Sequence, residues 1–255
     1  MSRHTDHNSN VVSQFTRQAI PFTQLAGHMD ALELLVELSQ ADADSQVLDV
    51  ASGPGLVAAA FAAVAGHVEC LDLTPAMLTQ ARNHAAENNL SNLSFQQGDA
   101  MQLPYEDGCF DVVVTRYSFH HFLEPDRVLA EMIRVCKSGG RVVVADVSIE
   151  PSVSERFNAI ERMRDSSHVC ALSSEVLDQL FLQKAFSRCT KSCYTVNVEL
   201  EQQLSVSFPK HGDEEKIREL IRQDIDINRT GFNPRLIDGK VYYSYPISVY
   251  SGVRI

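Results

Sequence analysis

The sequence predicts an α/β fold organised as a doubly wound, mostly parallel sheet. Two observations carry this. Short apolar strands and helical runs alternate from Val47 to Asp146, and repeated β-α units of this kind give a parallel sheet covered by helices on both faces. The first strand, Val47–Val50, also passes through the turn Ala51-Ser52-Gly53-Pro54-Gly55 into a run of helix formers from Leu56 to Ala65. Ligands on such sheets sit at the carboxyl ends of the strands, beside turns like this one.

The elements follow in order. Met1 to Asn10 is polar, and residues 1 to 13 are expected to be a mobile tail. Phe15, Ala19, Phe22 and Leu25-Ala26 recur at helical spacing, interrupted by Pro21. A helix from about Met29 to Leu38 places Leu32, Leu35 and Val36 on one face. Helices are then expected at Val57–Val64, Pro75–Asn88 and Pro125–Val135. Pro75 suits a first turn, Thr74 suits the N-cap, and Ser138-Gly139-Gly140 ends the third of these helices. Strands are expected at His67–Leu71, Leu93–Gln96, Phe110–Thr115 and Arg141–Asp146. After Ile149 the alternation stops. Helices at Ser154–Arg164, Ser173–Phe181 and Glu214–Asp226 are joined by strands at Thr195–Leu200 and Val241–Val253, the last rich in tyrosine and alternating as an edge strand does.

Composition narrows the function. The 255 residues are 44% hydrophobic, enough for a sizeable core. A net charge of −11, without a local Lys/Arg cluster, argues against a nucleic-acid partner. The absence of Trp and an aromatic content of 7% also disfavour a stacking platform for bases. No apolar leader opens the chain, and no segment has the ~20 apolar residues of a membrane span. The six cysteines are scattered without zinc-site spacing. The expectation is a reduced, cytoplasmic protein with no metal.

Three acids close three successive strands: Asp49, Asp72 and Asp99. Asp72 lies at the tip of strand two, where a carboxylate can accept from both hydroxyls of a ribose. Asp99, in Gln97-Gly98-Asp99-Ala100, could accept from the exocyclic amine of a base. One loop aspartate alone would be an ordinary turn residue; three beside a Gly turn point to a nucleoside. Gly53 and Gly55 let a ligand approach the backbone. A dinucleotide would call for a third glycine, and Leu56-Val57-Ala58 follows instead. The ligand reads as a single nucleoside with a small charged appendage.

With these segments in place, the chain resembles the class I S-adenosylmethionine-dependent methyltransferases. Val47–Gly55, Glu69–Met77, Gln97–Pro104, Phe110–Phe122 and Gly139–Asp146 match in order and spacing, over about residues 45–150. Gln14-Phe15 with Ala19 and Phe22, the His120-His121 pair, and Arg162–Val169 are similar to the ubiquinone/menaquinone-biosynthesis group. The resemblance implies a Rossmann-like, mostly parallel seven-stranded sheet with an antiparallel edge strand. It implies a helical lid over residues 1–44, a cofactor core over 45–150, and substrate-pocket helices with C-terminal strands over 151–255. It also implies that Asp49, Ala51, Ser52, Gly53 and Gly55 hold the methionine part of S-adenosylmethionine. Asp72 would bind the ribose, Leu73 and Met77 would lie beside the adenine, and Asp99 and Ala100 would meet its amine edge. Arg116 and Tyr117 would line the sulfonium end. Ala51 stands where glycine is more usual.

Methyl transfer needs alignment, exclusion of water and, for some nucleophiles, a base. His121 and His168 are the expected catalytic bases, with His168 able to pair with Asp165. His120, His168, Phe15 and Phe22 are expected to line the substrate pocket. The expected function is methylation of a small-molecule O, N or C nucleophile, with a homodimer possible. The alternatives are a cofactor-retaining enzyme that does not methylate, such as a cyclase or decarboxylase, and a non-catalytic binding protein.

Overall fold

A computed structural model describes residues 3–21, 31–182 and 185–255. One sheet organises it. Strands β1 (Gln46–Val50), β2 (His67–Asp72), β3 (Leu93–Gln97), β4 (Phe110–Arg116) and β5 (Cys136–Val147) are parallel. Strand β8 (Lys240–Arg254) runs antiparallel between β5 and β6 (Phe186–Glu199). The order is β3-β2-β1-β4-β5-β8-β6, and a short β7 (Arg235–Ile237) pairs with the start of β8. The fold is thus mixed α/β and Rossmann-like, with the antiparallel pairing at one side. The tyrosine-rich strand β8 is flanked on both sides; β6 is the outer strand.

The central strands are apolar because both their faces are covered. Val47 and Leu48 of β1 are fully buried but belong to different cores, as the two-residue period of a strand requires. On one face, Leu35 of α2 (Leu32–Ser39) and Phe61 of α3 (Leu56–Ala62) meet Val47. On the other, Val128, Leu129 and Met132 of α5 (Pro125–Val135) meet Leu48 and Val113. Burying each such side chain contributes about 1.5–3 kcal/mol. Helix α4 (Pro75–Glu87) begins after Thr74 as expected, although the threonine side chain makes no capping bond to the helix. Helices α6 (Ser154–Arg164) and α7 (Ser174–Phe181) lie where the sequence placed them, and Ser173 accepts from Val176 N–H as the cap of α7.

Four expectations change. Residues 3 to 13 are not a tail: α1 spans Arg3–Gln18. Ser138-Gly139-Gly140 does not separate helix from strand but lies inside β5, where the pairing with β4 shifts register. A Cβ on Gly140 would come within 2.7 Å of the Asp111 carbonyl, so only glycine fits that crossing. The strand expected at Thr195–Leu200 is the second half of β6, and Leu200 instead opens α8 (Leu200–Ser207). Helix α8 and strand β7 were not anticipated, being short pieces with few apolar residues. Helix α9 (Asp213–Gln223) follows α8.

Candidate active site

Two adjoining cavities lie at the carboxyl ends of the strands. The first, of about 1060 Å³, sits where β1 is flanked by β2 on one side and β4 on the other, the switch point of a doubly wound sheet. Its floor is the turn after β1. Ala51, Gly53 and Gly55 all take left-handed backbone angles, with φ of 56°, 54° and 81°. A Cβ on Gly53 would meet nothing within 4 Å, whereas one on Gly55 would lie 3.0 Å from Cβ of Ala81 on α4. Gly53 therefore leaves open space above the turn, and Gly55 lets α3 pack on α4. The left-handed angle at Ala51 is the physical reason that glycine is usual there.

Asp49 is 1% exposed, and its Oδ2 has no hydrogen-bond partner among the described residues; neither has Oγ of Ser52. Burial pushes the Asp49 carboxyl up to about 8, although Arg116 and the backbone N–H of Ala58 oppose the rise. Two unsatisfied buried polar atoms, one near the end of β1 and one in the turn after it, cost about 1–3 kcal/mol each, and a ligand carrying donors would recover that cost. Asp72 is tied into the same turn. Gly53 N–H donates to its Oδ2 and Thr74 N–H to its Oδ1, each at 2.8 Å, while burial lifts its pKa. Leu73, Met77 and Ala100 line the cavity. Asp99 accepts from Met101 N–H (2.9 Å) and, through Oδ2, from Nδ2 of Asn8 on α1 (2.8 Å).

Tyr117 stands between the cavities and lines both. It is an aromatic residue at φ 56°, a costly conformation. Its hydroxyl lies 2.7 Å from that of Tyr194 on β6, and the Arg116 guanidinium lies 4.6 Å from its ring centre. These contacts hold it in place.

The second cavity, of about 710 Å³, is built from distant parts of the chain. Phe15 and Gln18 come from α1, Phe157, Glu161 and Arg164 from α6, Val196 and Val198 from β6, Gln203 from α8, and Tyr245 from β8. Glu161 and Arg164 form a buried ion pair at 2.6 Å, and the Tyr245 hydroxyl donates to Glu161 at 3.0 Å. Tyr245 therefore lines a cavity, rather than serving only the sheet.

Three histidines converge on this cavity, with ring centres 4.2–6.3 Å apart. His120 Nδ1 lies 2.7 Å from Oδ1 of Asp146 at the end of β5. Burial alone would lower the His120 imidazole; the Asp146 charge and hydrogen bond outweigh it and hold the ring above its ordinary value. His121 packs edge-on against Phe15 at 5.0 Å, and its Nδ1 lies 3.1 Å from Ser167 Oγ. Burial, then the neighbouring His120, pushes it down to about 4. The expected pairing of His168 with Asp165 is not formed. His168 Nε2 lies 2.7 Å from Asn158 Oδ1, whereas Asp165 accepts from Ser167 and Gln18. Burial and the surrounding cationic groups push His168 far below its ordinary value.

Helix α1 bridges the two cavities. His7, Asn8, Val11 and Phe15 face the first, and Phe15 and Gln18 the second. Their 3–4 residue spacing was a helical signal hidden by polar side chains. Asp146 was also missed, although it ends an apolar strand just as Asp49 does. Phe22 lies outside the described residues. Among the described residues, no group of three or more His, Cys, Asp or Glu could hold a metal ion, and no helix is long and apolar enough to cross a membrane.

A family model described as a methyltransferase domain matches residues 41–219, spanning the turn after β1, the three strand-end acids and the histidine cluster. The chain belongs to this methyltransferase-domain family. It is 35% identical over 140 residues to the uncharacterized methyltransferase YcgJ of Bacillus subtilis, covering 54% of this chain and 55% of YcgJ. The crystal structure of YcgJ superposes with a TM-score of 0.81 over 89% of this chain and 99% of that one, at 25% identity. The demethylmenaquinone methyltransferase of Deinococcus radiodurans is 40% identical over 120 residues, covering 46% of this chain and 48% of that one. The ubiquinone/menaquinone C-methyltransferase UbiE of Roseobacter denitrificans is 35% identical over 131 residues, covering 48% and 52%. The chain thus spans about half the length of the curated relatives it matches.

Proposed function

We propose that the protein binds S-adenosylmethionine in the first cavity and methylates a small molecule held in the second. One observation carries the cofactor assignment: Asp49 Oδ2, buried near the end of β1, and Ser52 Oγ, buried in the turn after it, lack partners among the described residues. An acceptor-only carboxylate and a hydroxyl suit the ammonium end of an amino acid. Asp72 keeps lone pairs beyond those used by Gly53 and Thr74, and these suit a ribose diol. Leu73, Met77 and Ala100 offer an apolar slot for a base. Gly53 gives the ligand access, while Ala51 narrows the turn by one methyl group. The bound group supplies a methyl on a sulfonium, already activated for transfer.

The chain's part is placement. Arg116 and Tyr117 form the partition between cofactor and substrate. Helix α1 covers both cavities and keeps water out, so that on this reading residues 1–44 contribute the lid through α1. Helix α2 serves the core instead, since Leu35 is fully buried there. Residues 45–150 form the cofactor cradle and 151–255 supply most of the substrate pocket, with Phe15, His120, His121 and His168 at its mouth. The six cysteines are all free thiols, which suits a reducing cytoplasm. The net charge of −11 favours a small molecule over nucleic acid. The names of the quinone-methylating relatives make quinols the first substrates to try.

The test is methyl transfer with S-adenosylmethionine labelled on the methyl group, in a metabolite extract. Label is expected in the small-molecule fraction. Label that appears on macromolecules, or that never leaves the cofactor, would count against the reading.

A further inference from the structure

We propose that His120 is the general base of the transfer, positioned by Asp146, and that the substrate presents a nucleophile whose proton must be removed. The inference rests on the function proposed above. Asp146 Oδ2 accepts from Phe119 N–H, and its Oδ1 from Val147 N–H, each at 2.7 Å. A carboxylate so placed is an acceptor, so the imidazole must donate to it through Nδ1 (2.7 Å). That fixes the tautomer of the neutral ring: Nε2 of His120 then carries a bare lone pair and has no partner among the described residues, and the residue lines the second cavity. A base directed by a buried carboxylate is the arrangement used to withdraw protons from weak nucleophiles.

The neighbouring rings serve differently. Asn158 donates its amide N–H to the Ser154 carbonyl (2.9 Å), so its Oδ1 accepts from His168 Nε2. His168 Nδ1 is then a second bare acceptor, buried and without a partner among the described residues. The ring stays neutral because burial and the cationic groups around it resist charge. It can bind a donor on the substrate but is a poor proton acceptor. His121, held at about 4 by burial and by His120, is also a weak base. The charged and titratable groups facing His120 are Asp146, Glu161 and Arg164, with His121 and His168. Of the three rings only His120 has a carboxylate bonded to it.

In the step, the nucleophile's proton passes to Nε2 of His120. The electron pair left behind forms the bond to the methyl carbon, and the pair of the broken carbon–sulfur bond leaves with sulfur. The proton then passes from His120 to solvent, so one substrate proton is exchanged for one methyl group. Asp146 accepts from the His120 ring throughout and is a positioning residue.

The probe is 4-nitrophenol, whose colour reports its ionisation, added to protein saturated with S-adenosylhomocysteine. Bound to the unaltered protein, it should ionise at least one pH unit below its midpoint bound to H120Q, the scale of a nearby base. Equal midpoints, or no uptake of the probe, would overturn the assignment. D146N is the second variant. By ring-resolved NMR titration, its His120 should titrate about one to three pH units lower than in the unaltered protein, and the colour shift should shrink with it. An unchanged His120 titration would remove Asp146 from its role. Binding of S-adenosylhomocysteine is read in the same titrations, so loss of the cofactor site would be seen separately from loss of the base.

Discussion

The two cavities share a partition but are built in opposite ways. The first draws its turn, its three acids and its apolar slot mainly from Asp49 to Tyr117, a continuous part of the chain. The second gathers side chains from α1, α6, β6, α8 and β8. The first is held by backbone: Gly53 and Thr74 N–H groups hold Asp72, and left-handed glycines set the turn. The second is held by side chains meeting across long sequence separations, such as Tyr245 with Glu161 and His120 with Asp146. A cradle made of backbone and neighbouring residues can be read from a short motif. A pocket assembled by tertiary packing cannot.

The sharpest way to break the comparison is at the turn. Gly55→Ala puts a Cβ 3.0 Å from Ala81 in a left-handed conformation. Strain and overpacking together should lower the unfolding free energy by about 2–4 kcal/mol, measured by denaturant melts. If stability is unchanged, the rigid cradle is wrong. Asp72→Ala should weaken S-adenosylhomocysteine binding by about 1.5–3 kcal/mol. Because Asp72 also holds two backbone N–H groups, it should lower the melting temperature too, which an acid serving the ligand alone would not.

A pH series sharpens the electrostatic half of the contrast. Asp49 titrates at about 8 in the folded protein against 3.8 as the ordinary value. Its raised pKa favours folding below about pH 4, and that contribution is lost as pH rises towards 8. A ligand ammonium needs the charged carboxylate. Affinity should therefore climb with pH, by up to about tenfold per unit, and level off above about 8. The ligand-induced rise in melting temperature should be larger at pH 8 than at pH 6. A flat profile would remove Asp49 from the site.

Smaller effects probe the lid and the turn's one irregular residue. Asn8→Ala removes a bond from α1 to Asp99 and should raise amide exchange in α1, with about 0.5–1.5 kcal/mol of local stability lost. Ala51→Gly relieves a left-handed alanine at φ 56°. The unfolded chain gains freedom in exchange, so the net gain should be about 0.5–1 kcal/mol. A loss of stability would show that the methyl group packs usefully.

How far the sequence could be read follows the same line. The helices at Pro125–Val135 and Ser154–Arg164 were legible because an amphipathic period, and a proline in the first turn of the former, are local signals. The turn and its acids were legible because spacing alone sets their geometry. Helix α1 was hidden because Gln14 and Gln18, polar side chains, are what it buries. The partner of His168 was misjudged because Asp165 is near in sequence, whereas Asn158 is near in space. The bounds of β6 were harder to read because an exposed edge strand lacks the apolar alternation of a covered one.

The most direct measurement is a calorimetric titration of S-adenosylhomocysteine into the protein at pH 8. One site per chain is expected, with affinity falling in Asp72→Ala and in Asp49→Asn. No binding by the unaltered protein, or binding indifferent to both changes, would contradict it.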